Sequence, residues 1–159
     1  MKTLQISDKN ARELYKTASD EFKQVLEDTF GKDFFAEKVT DRVKTYEDAL
    51  RETMRPDAKT INEIPEDLHD HFLKVYKCII LCEAMNAGKR MDIYDSNVYR
   101  YYPWFETKGS PSAFAFNGTY CVCTYAYAGS GSRLSVMSRE AAKHIGENFV
   151  KEFRDMLDS

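Results

Sequence analysis

Aromatic residues concentrate in one segment of this chain, and that concentration restricts what the chain can fold into. Residues 94–127 hold eleven of the twenty-one aromatic residues, including the run YRYYPWF at 99–105. Residues 94–137 carry only five charged side chains, whereas the remainder of the chain is densely charged. The pattern predicts one segment that packs or binds, carried by a solvated helical frame.

Helix signals dominate the rest of the sequence. The expected N-cap residues are Ser7, Ser19, Thr45 and Ser138. An apolar pattern with helical spacing predicts one long central helix over residues 66–87, which is apolar all round in its second half. The last N-cap is expected to start a C-terminal helix that runs to about residue 157.

The region between these helices is predicted to form a small sheet. Residues 92–111 have the composition of an irregular aromatic loop. Short strands are predicted at 113–116, 120–128 and 133–137, with Asn117-Gly118 as the first hairpin turn. The expected fold is therefore α+β: a helical N-terminal half with the long central helix, a three-stranded antiparallel meander and a C-terminal helix, in one domain of residues 1–159.

Bulk properties restrict the classes of partner, although they leave room for a local basic patch. The formal net charge of −3 and the pI of about 5.7 give no overall attraction to nucleic acid or anionic membranes. The chain has no apolar run of membrane-spanning length and no signal-like N-terminus, so we expect a cytoplasmic protein without a membrane partner.

Four cysteines form two pairs, Cys78 with Cys82 and Cys121 with Cys123. Each pair shares one face of its predicted element, so four thiolates can in principle form a zinc site. The alternative is that they are small buried thiols, because free cysteine is among the most buried residue types. Zinc ligands usually lie on turns, so we predict no metal and no other cofactor.

The aromatic segment supplies the candidate binding residues. They are Tyr99, Arg100, Tyr101, Tyr102, Trp104, Phe105, Ser130 and Arg133. Three interpretations stay open: packing into the core, a protein interface that includes self-association into a homo-oligomer, and stacking of nucleotides or single-stranded nucleic acid with arginine holding phosphate. The turn at 129–133 has two interpretations, a nest of backbone amides that holds an anion or a plain hairpin turn.

Enzyme motifs are missing from the sequence. It contains no nucleophile elbow, HExxH, Walker loop or dinucleotide fingerprint. His69 and His71 are two apart on a predicted helix and so do not share a face, and His144 lies far from both in sequence. A non-enzymatic binding protein is therefore the expectation.

Several strings spread over the chain are familiar together: LEDTFGK at 26–32, TDRVKTYEDA at 40–49, DSN at 95–97, YYPWF at 101–105 and GSRL at 131–134. With these strings the chain resembles a family of small uncharacterised proteins encoded by phages and prophages of gut Bacteroidetes-type bacteria. The resemblance implies an accessory protein in a bacterial host cell, with a host or phage protein as its partner. It supplies no catalytic residues.

Overall fold

The structure is a computed structural model that describes residues 6–59, 63–89, 92, 94–95, 97–123 and 133–159. Contacts group the chain into two compact units, Met1–Arg42 and Val43–Ser159. That residues 1–159 act as a single domain stays a prediction. No helix in the described ranges is both long and apolar enough to cross a membrane.

The first unit is helical. Its α-helices are α1 (Asp8–Thr17), α2 (Asp20–Phe30) and the single turn α3 (Val39–Arg42), with a 3-10 turn over Lys32–Phe35. The predicted caps are confirmed, since the hydroxyls of Ser7 and Ser19 accept hydrogen bonds from the backbone N–H groups of Asn10 and Phe22. Each cap satisfies one of the amides that a helix start leaves unpaired.

The second unit contains four α-helices and a two-stranded ribbon among its described residues. The elements are α4 (Tyr46–Thr53), α5 (His69–Met85), β1 (Tyr99–Glu106), β2 (Ala115–Cys123), α6 (Arg139–Asn148) and α7 (Val150–Leu157). Helix α5 is the central element, with Ile80, Leu81 and Cys82 almost fully buried. Helices α4 and α7 pack against α5, and the ribbon packs on α6.

The helix predictions for this unit are largely confirmed. Thr45 and Asp48 form a complete capping box at the start of α4, and a 3-10 turn over Glu66–Leu68 leads into α5. The prediction of a single C-terminal helix is wrong, because the chain leaves helical geometry at Phe149 between α6 and α7. The Phe149 ring is buried at this break.

The predicted three-stranded meander is wrong. The sheet has two antiparallel strands among the described residues, and the segment expected to be an irregular aromatic loop is one of them. The third predicted strand, 133–137, contributes only a bridge at Val136, whose N–H and C=O bond the C=O and N–H of Tyr101 at 2.8 and 2.9 Å. The end of the second predicted strand, 124–128, lies outside the described residues.

The hairpin turn is also not where the sequence places it. Asn117-Gly118 lies inside β2, where Trp104 pairs with Gly118 and Phe105 pairs with Phe116, so Asn117 is the extra residue of a β-bulge. The chain reverses instead over residues 107–114, with a turn at Lys108-Gly109, where both residues have positive φ, 43° and 75°, and then a 3-10 turn over Pro111–Ala113. A hydrogen bond of 2.9 Å from Ser110 N to Thr107 O closes the turn at Lys108-Gly109. Positive φ at both central residues is typical of a type I′ turn.

Pro103 explains why β1 reads as a loop in the sequence. A proline within a strand usually removes a ladder hydrogen bond. Here the backbone N–H and C=O of Tyr101 point to Val136, away from β2, and alternation places the nitrogen of Pro103 on that same outer edge. The missing N–H therefore costs no bond between β1 and β2.

Candidate interaction surface

Alternation along β1 divides the predicted binding residues between two faces of the ribbon. Tyr101, Pro103 and Phe105 lie on the face toward α6, which we call the inner face. Arg100, Tyr102 and Trp104 lie on the opposite, outer face. The aromatic run is therefore neither all core nor all surface.

The inner face is part of the hydrophobic core. The ring of Phe105 stacks on Phe114 at 4.8 Å between centroids and lies 5.5 Å from Phe153 of α7. Phe116 approaches α6 so closely that a Cβ on Gly146 would stand 2.1 Å from its ring. The bulge in β2 makes this possible, because it keeps Phe116 and Phe105 on the same face.

Tyr101 and Tyr99 continue the inner face toward the start of β1. The guanidinium of Arg139 lies 5.6 Å from the centre of the Tyr101 ring, a cation–π contact, and it donates to Thr119 Oγ1 at 2.9 Å. Tyr99 is exposed at the start of β1, 6.4 Å from the Tyr101 ring.

The outer face carries three adjoining rings: Tyr102, Trp104 and Tyr120, which we call the outer aromatic cluster. Tyr102 stacks on Tyr120 at 6.2 Å, and Trp104 meets Tyr120 edge to face at 5.7 Å. Trp104 is 44% exposed and Tyr120 is 55% exposed. Tyr120 was not predicted as a binding residue, because only the register of β1 with β2 brings it opposite Tyr102.

A gap lies beside Trp104 in this cluster. The residue opposite Trp104 on β2 is Gly118, and a Cβ added there would meet no atom of the described residues within 4 Å. A protruding indole therefore stands next to an open space on the same face. Interface hot spots are often aromatic side chains that insert into a pocket of the partner, and this face offers both a projecting ring and a recess.

The charged residues described on the outer face do not form an anion site. Arg100 is only 3% exposed; its Nη2 donates to Asp92 O at 3.2 Å, and its Nε is buried without an acceptor among the described residues. At the other end of β1, the Glu106 carboxylate accepts from Asn117 at 3.2 Å and lies 3.9 Å from the Lys108 ammonium. The described part of this face is thus close to neutral.

Two further predicted binding residues remain, Arg133 and Ser130. Arg133 is exposed and lies outside the strands. Ser130 lies outside the described residues. The structure therefore shows no grouping of Arg100 with Arg133 around a phosphate-sized site in the part of the chain that it describes.

Asn86, at the end of α5, supports the ribbon at the edge of β1 that faces away from β2. Its side chain is buried, donates from Nδ2 to Ser135 O at 3.1 Å and accepts at Oδ1 from Met137 N at 2.8 Å. The residue between them, Val136, pairs with Tyr101 of β1. One amide therefore ties the central helix to the strand that carries the aromatic run.

The histidines have separate structural roles. His69 and His144 bond the backbone carbonyl oxygens of Ile64 and Val43 at 2.8 and 2.7 Å, and His71 contacts the Ser159 hydroxyl. Each imidazole is used to fasten a different chain segment. In the ranges that the structure describes, we find no arrangement in which these side chains share a reacting group.

A cleft of about 580 Å³ between α4, α5 and α7 is lined by side chains of both charges. Lys74 pairs with Asp70 at 2.5 Å, and Lys151 pairs with Asp155 at 2.6 Å. Ion pairs at helical spacing are typical of a solvated helix surface. We therefore assign no catalytic role to this cleft.

Cys78 and Cys82 are buried on α5. Burial raises the pKa of Cys78 to about 12 and also raises that of Cys82. Among the described residues, no group of three or more histidine, cysteine or acidic side chains is arranged to hold a metal ion. The side chain of Cys123 lies outside the description.

Native Cys78 and Cys82 are expected to react with an alkylating reagent at pH 8 at least about 100-fold more slowly than in the unfolded chain, because the reactive thiolate is suppressed and shielded. Peptide mass spectrometry over a time course assigns each thiol. Cys121 is partly exposed and is the internal comparison. Alkylation of Cys78 as fast as Cys121 in folded protein would contradict the packing described for α5.

The comparisons with known proteins add no relative to this picture. No protein-family model, no curated protein and no solved structure matches the chain.

Proposed function

We propose that this chain is a non-enzymatic binding protein that docks a protein partner on the outer aromatic cluster. The observation that supports this is the exposure of Trp104 and Tyr120, side by side on a ribbon whose other face is anchored in the core. Tryptophan and tyrosine are enriched at interface hot spots, because they combine a large apolar body with a polar tip.

The charges around the cluster favour a protein over a nucleotide or single-stranded nucleic acid. Binding of a polyanion depends on cations that neutralise phosphate. The cation nearest in sequence to the cluster is Arg100, which is buried and directed to a backbone carbonyl. Lys108 stands beside the Glu106 carboxylate, and Arg139 lies over the Tyr101 ring of the inner face. Among the described residues, the outer rings therefore lack the basic surroundings that the nucleic-acid alternative requires.

The biological setting that we propose is a phage or prophage accessory protein in the cytoplasm of a bacterial host. Its support is the resemblance of the strings at 26–32, 40–49 and 101–105 to proteins of that origin. The partner is then a phage or host protein, and a second copy of the chain belongs to that class.

Site-specific photo-crosslinking tests the proposed surface. The variant Tyr120→p-benzoylphenylalanine places the reactive group in the outer aromatic cluster, and Met54→p-benzoylphenylalanine is the matched control, because Met54 is 74% exposed and lies off the ribbon. Irradiation of the expressing cells should give a discrete adduct with a protein identified by mass spectrometry from position 120 and none from position 54. A second substitution, Trp104→Ala, should remove that adduct.

Other outcomes separate the alternatives. Nuclease-sensitive adducts from position 120 would support nucleic acid as the ligand and overturn the protein proposal. The same set of products from positions 120 and 54, or no product from either, would also contradict docking at this face.

A further inference from the structure

We infer that the partner on the outer aromatic cluster is a second copy of this chain, with Trp104 of each copy packed against Gly118 of the other. This inference rests on the proposed function, since it names the occupant of the same face. It depends on the recess at Gly118 lying directly beside the projecting indole.

The register of the ribbon makes the outer face complementary to itself. Trp104 on β1 pairs with Gly118 on β2, and Tyr102 pairs with Tyr120. A two-fold axis that runs along the ribbon between the strands, in the plane of contact, brings the exposed β1 residues Tyr102 and Trp104 over their own register partners in the other copy. In that arrangement each indole enters a recess and each Tyr102 ring meets a Tyr120 ring.

Charge does not oppose this contact. Arg100 is withdrawn from the surface, and Glu106 and Lys108 together bring one charge of each sign to the far end of the face. The net charge of −3 per copy is small enough that long-range repulsion is weak at physiological salt. A near-neutral aromatic face is the composition of a homodimer interface.

The size of the cluster limits the affinity. Three partly exposed rings cover less area than the roughly 800 Å² per partner of a standard interface. We therefore expect a weak dimer with a dissociation constant on the order of 10–100 µM. Measurements must extend to protein concentrations of about 500 µM to populate it.

Sedimentation velocity on the full chain tests the assignment. The wild type should pass from monomer to dimer as concentration rises, while Trp104→Ala and Gly118→Val should each weaken dimerisation about 30-fold or more, as loss of a hot spot does. Both positions face outward, so the denaturation midpoint of each variant under monomeric conditions should stay close to that of the wild type. The fluorescence of Trp104, the single tryptophan of the chain, should shift to shorter wavelength on dimerisation.

Mixing the two variants tests the pairing itself. A heterodimer of Trp104→Ala with Gly118→Val keeps one intact indole–glycine contact. At its other contact the two substituted positions meet, so a small alanine methyl faces the added valine side chain. The mixture should therefore associate more tightly than either variant alone. Equal or weaker association of the mixture would overturn the Trp104–Gly118 contact, and a wild-type monomer at about 500 µM would overturn the second copy as partner.

These failures are distinguishable from failure of the proposed function. A monomeric chain whose position 120 still crosslinks to a different protein would retain docking at the outer face and lose only self-association. Absence of any site-specific adduct together with a monomeric chain would remove both proposals.

Discussion

Asn86→Ala is expected to lower the free energy of unfolding by about 2–4 kcal/mol, because it removes two hydrogen bonds to backbone groups at once. Asn86 is 7% exposed, and its amide pairs with the carbonyl of Ser135 and the N–H of Met137. The alanine variant leaves both partners without these bonds, and a small cavity adds to the loss. Chemical denaturation at low protein concentration measures the effect.

The matched control is Asn148→Ala, which removes an exposed asparagine amide whose contacts, with the carbonyl oxygen and the Nδ1 atom of His144, stay within its own helix. That change should stay within about 0.5 kcal/mol of the wild type. Hydrogen exchange adds a local readout, since the amides of Tyr101 and Val136 should lose protection before those of α5. Equal stability of Asn86→Ala and the wild type would show that the amide does not hold the ribbon.

A comparison of Asn86 with the N-cap residues shows which contacts the sequence predicts and which it does not. The N-caps at Ser7 and Ser138 depend on hydrogen bonds to residues three positions away, so the local sequence contains the whole signal. The Asn86 contacts join residues about fifty positions apart. No local sequence pattern predicts these long-range hydrogen bonds, and an asparagine at a helix end is equally typical of a cap.

The ribbon was mispredicted because its local signals conflict with its tertiary pairing. Asn117-Gly118 is a strong hairpin sequence, yet it forms a bulge inside β2, and the turn uses Lys108, a residue that rarely takes positive φ. Pro103 argues against a strand until the bonds of Tyr101 to Val136 show that its missing N–H faces outward. Pairing over a distance, not propensity, decides these residues.

The sequence likewise predicts one part of the candidate surface and not the rest. The concentration of aromatic rings is visible in composition, and Trp104, which the sequence offers as a candidate binding residue, is partly exposed. The position of Arg100 is not visible there, because this arginine, which the nucleotide-binding interpretation assigns to phosphate, is buried against a backbone carbonyl. Tyr120 and Gly118 gain their meaning only from the register that sets them opposite Tyr102 and Trp104.

Gly146→Ala is expected to destabilise the protein by about 1–3 kcal/mol, although alanine is the better helix former. Gly146 lies inside α6, where helix propensity alone predicts a gain of about 1 kcal/mol. The new Cβ would stand 2.1 Å from Cδ2 and 2.3 Å from Cε2 of Phe116, so the ring or the helix must move. The sign of the change therefore decides between local propensity and close packing of the ribbon on α6.

A double-mutant cycle identifies the cause. Phe116→Leu removes the aromatic ring, so Gly146→Ala should cost less in that background than in the wild type, by about 1 kcal/mol or more. Gly118→Ala is the matched glycine control, because its Cβ meets open space among the described residues, and its effect should stay within about 0.5 kcal/mol. If Gly146→Ala raises the denaturation midpoint, or if its cost is the same with and without the Phe116 ring, then α6 and β2 are not packed as closely as the structure places them, and the anchoring of the inner face that supports the outer aromatic cluster must be revised.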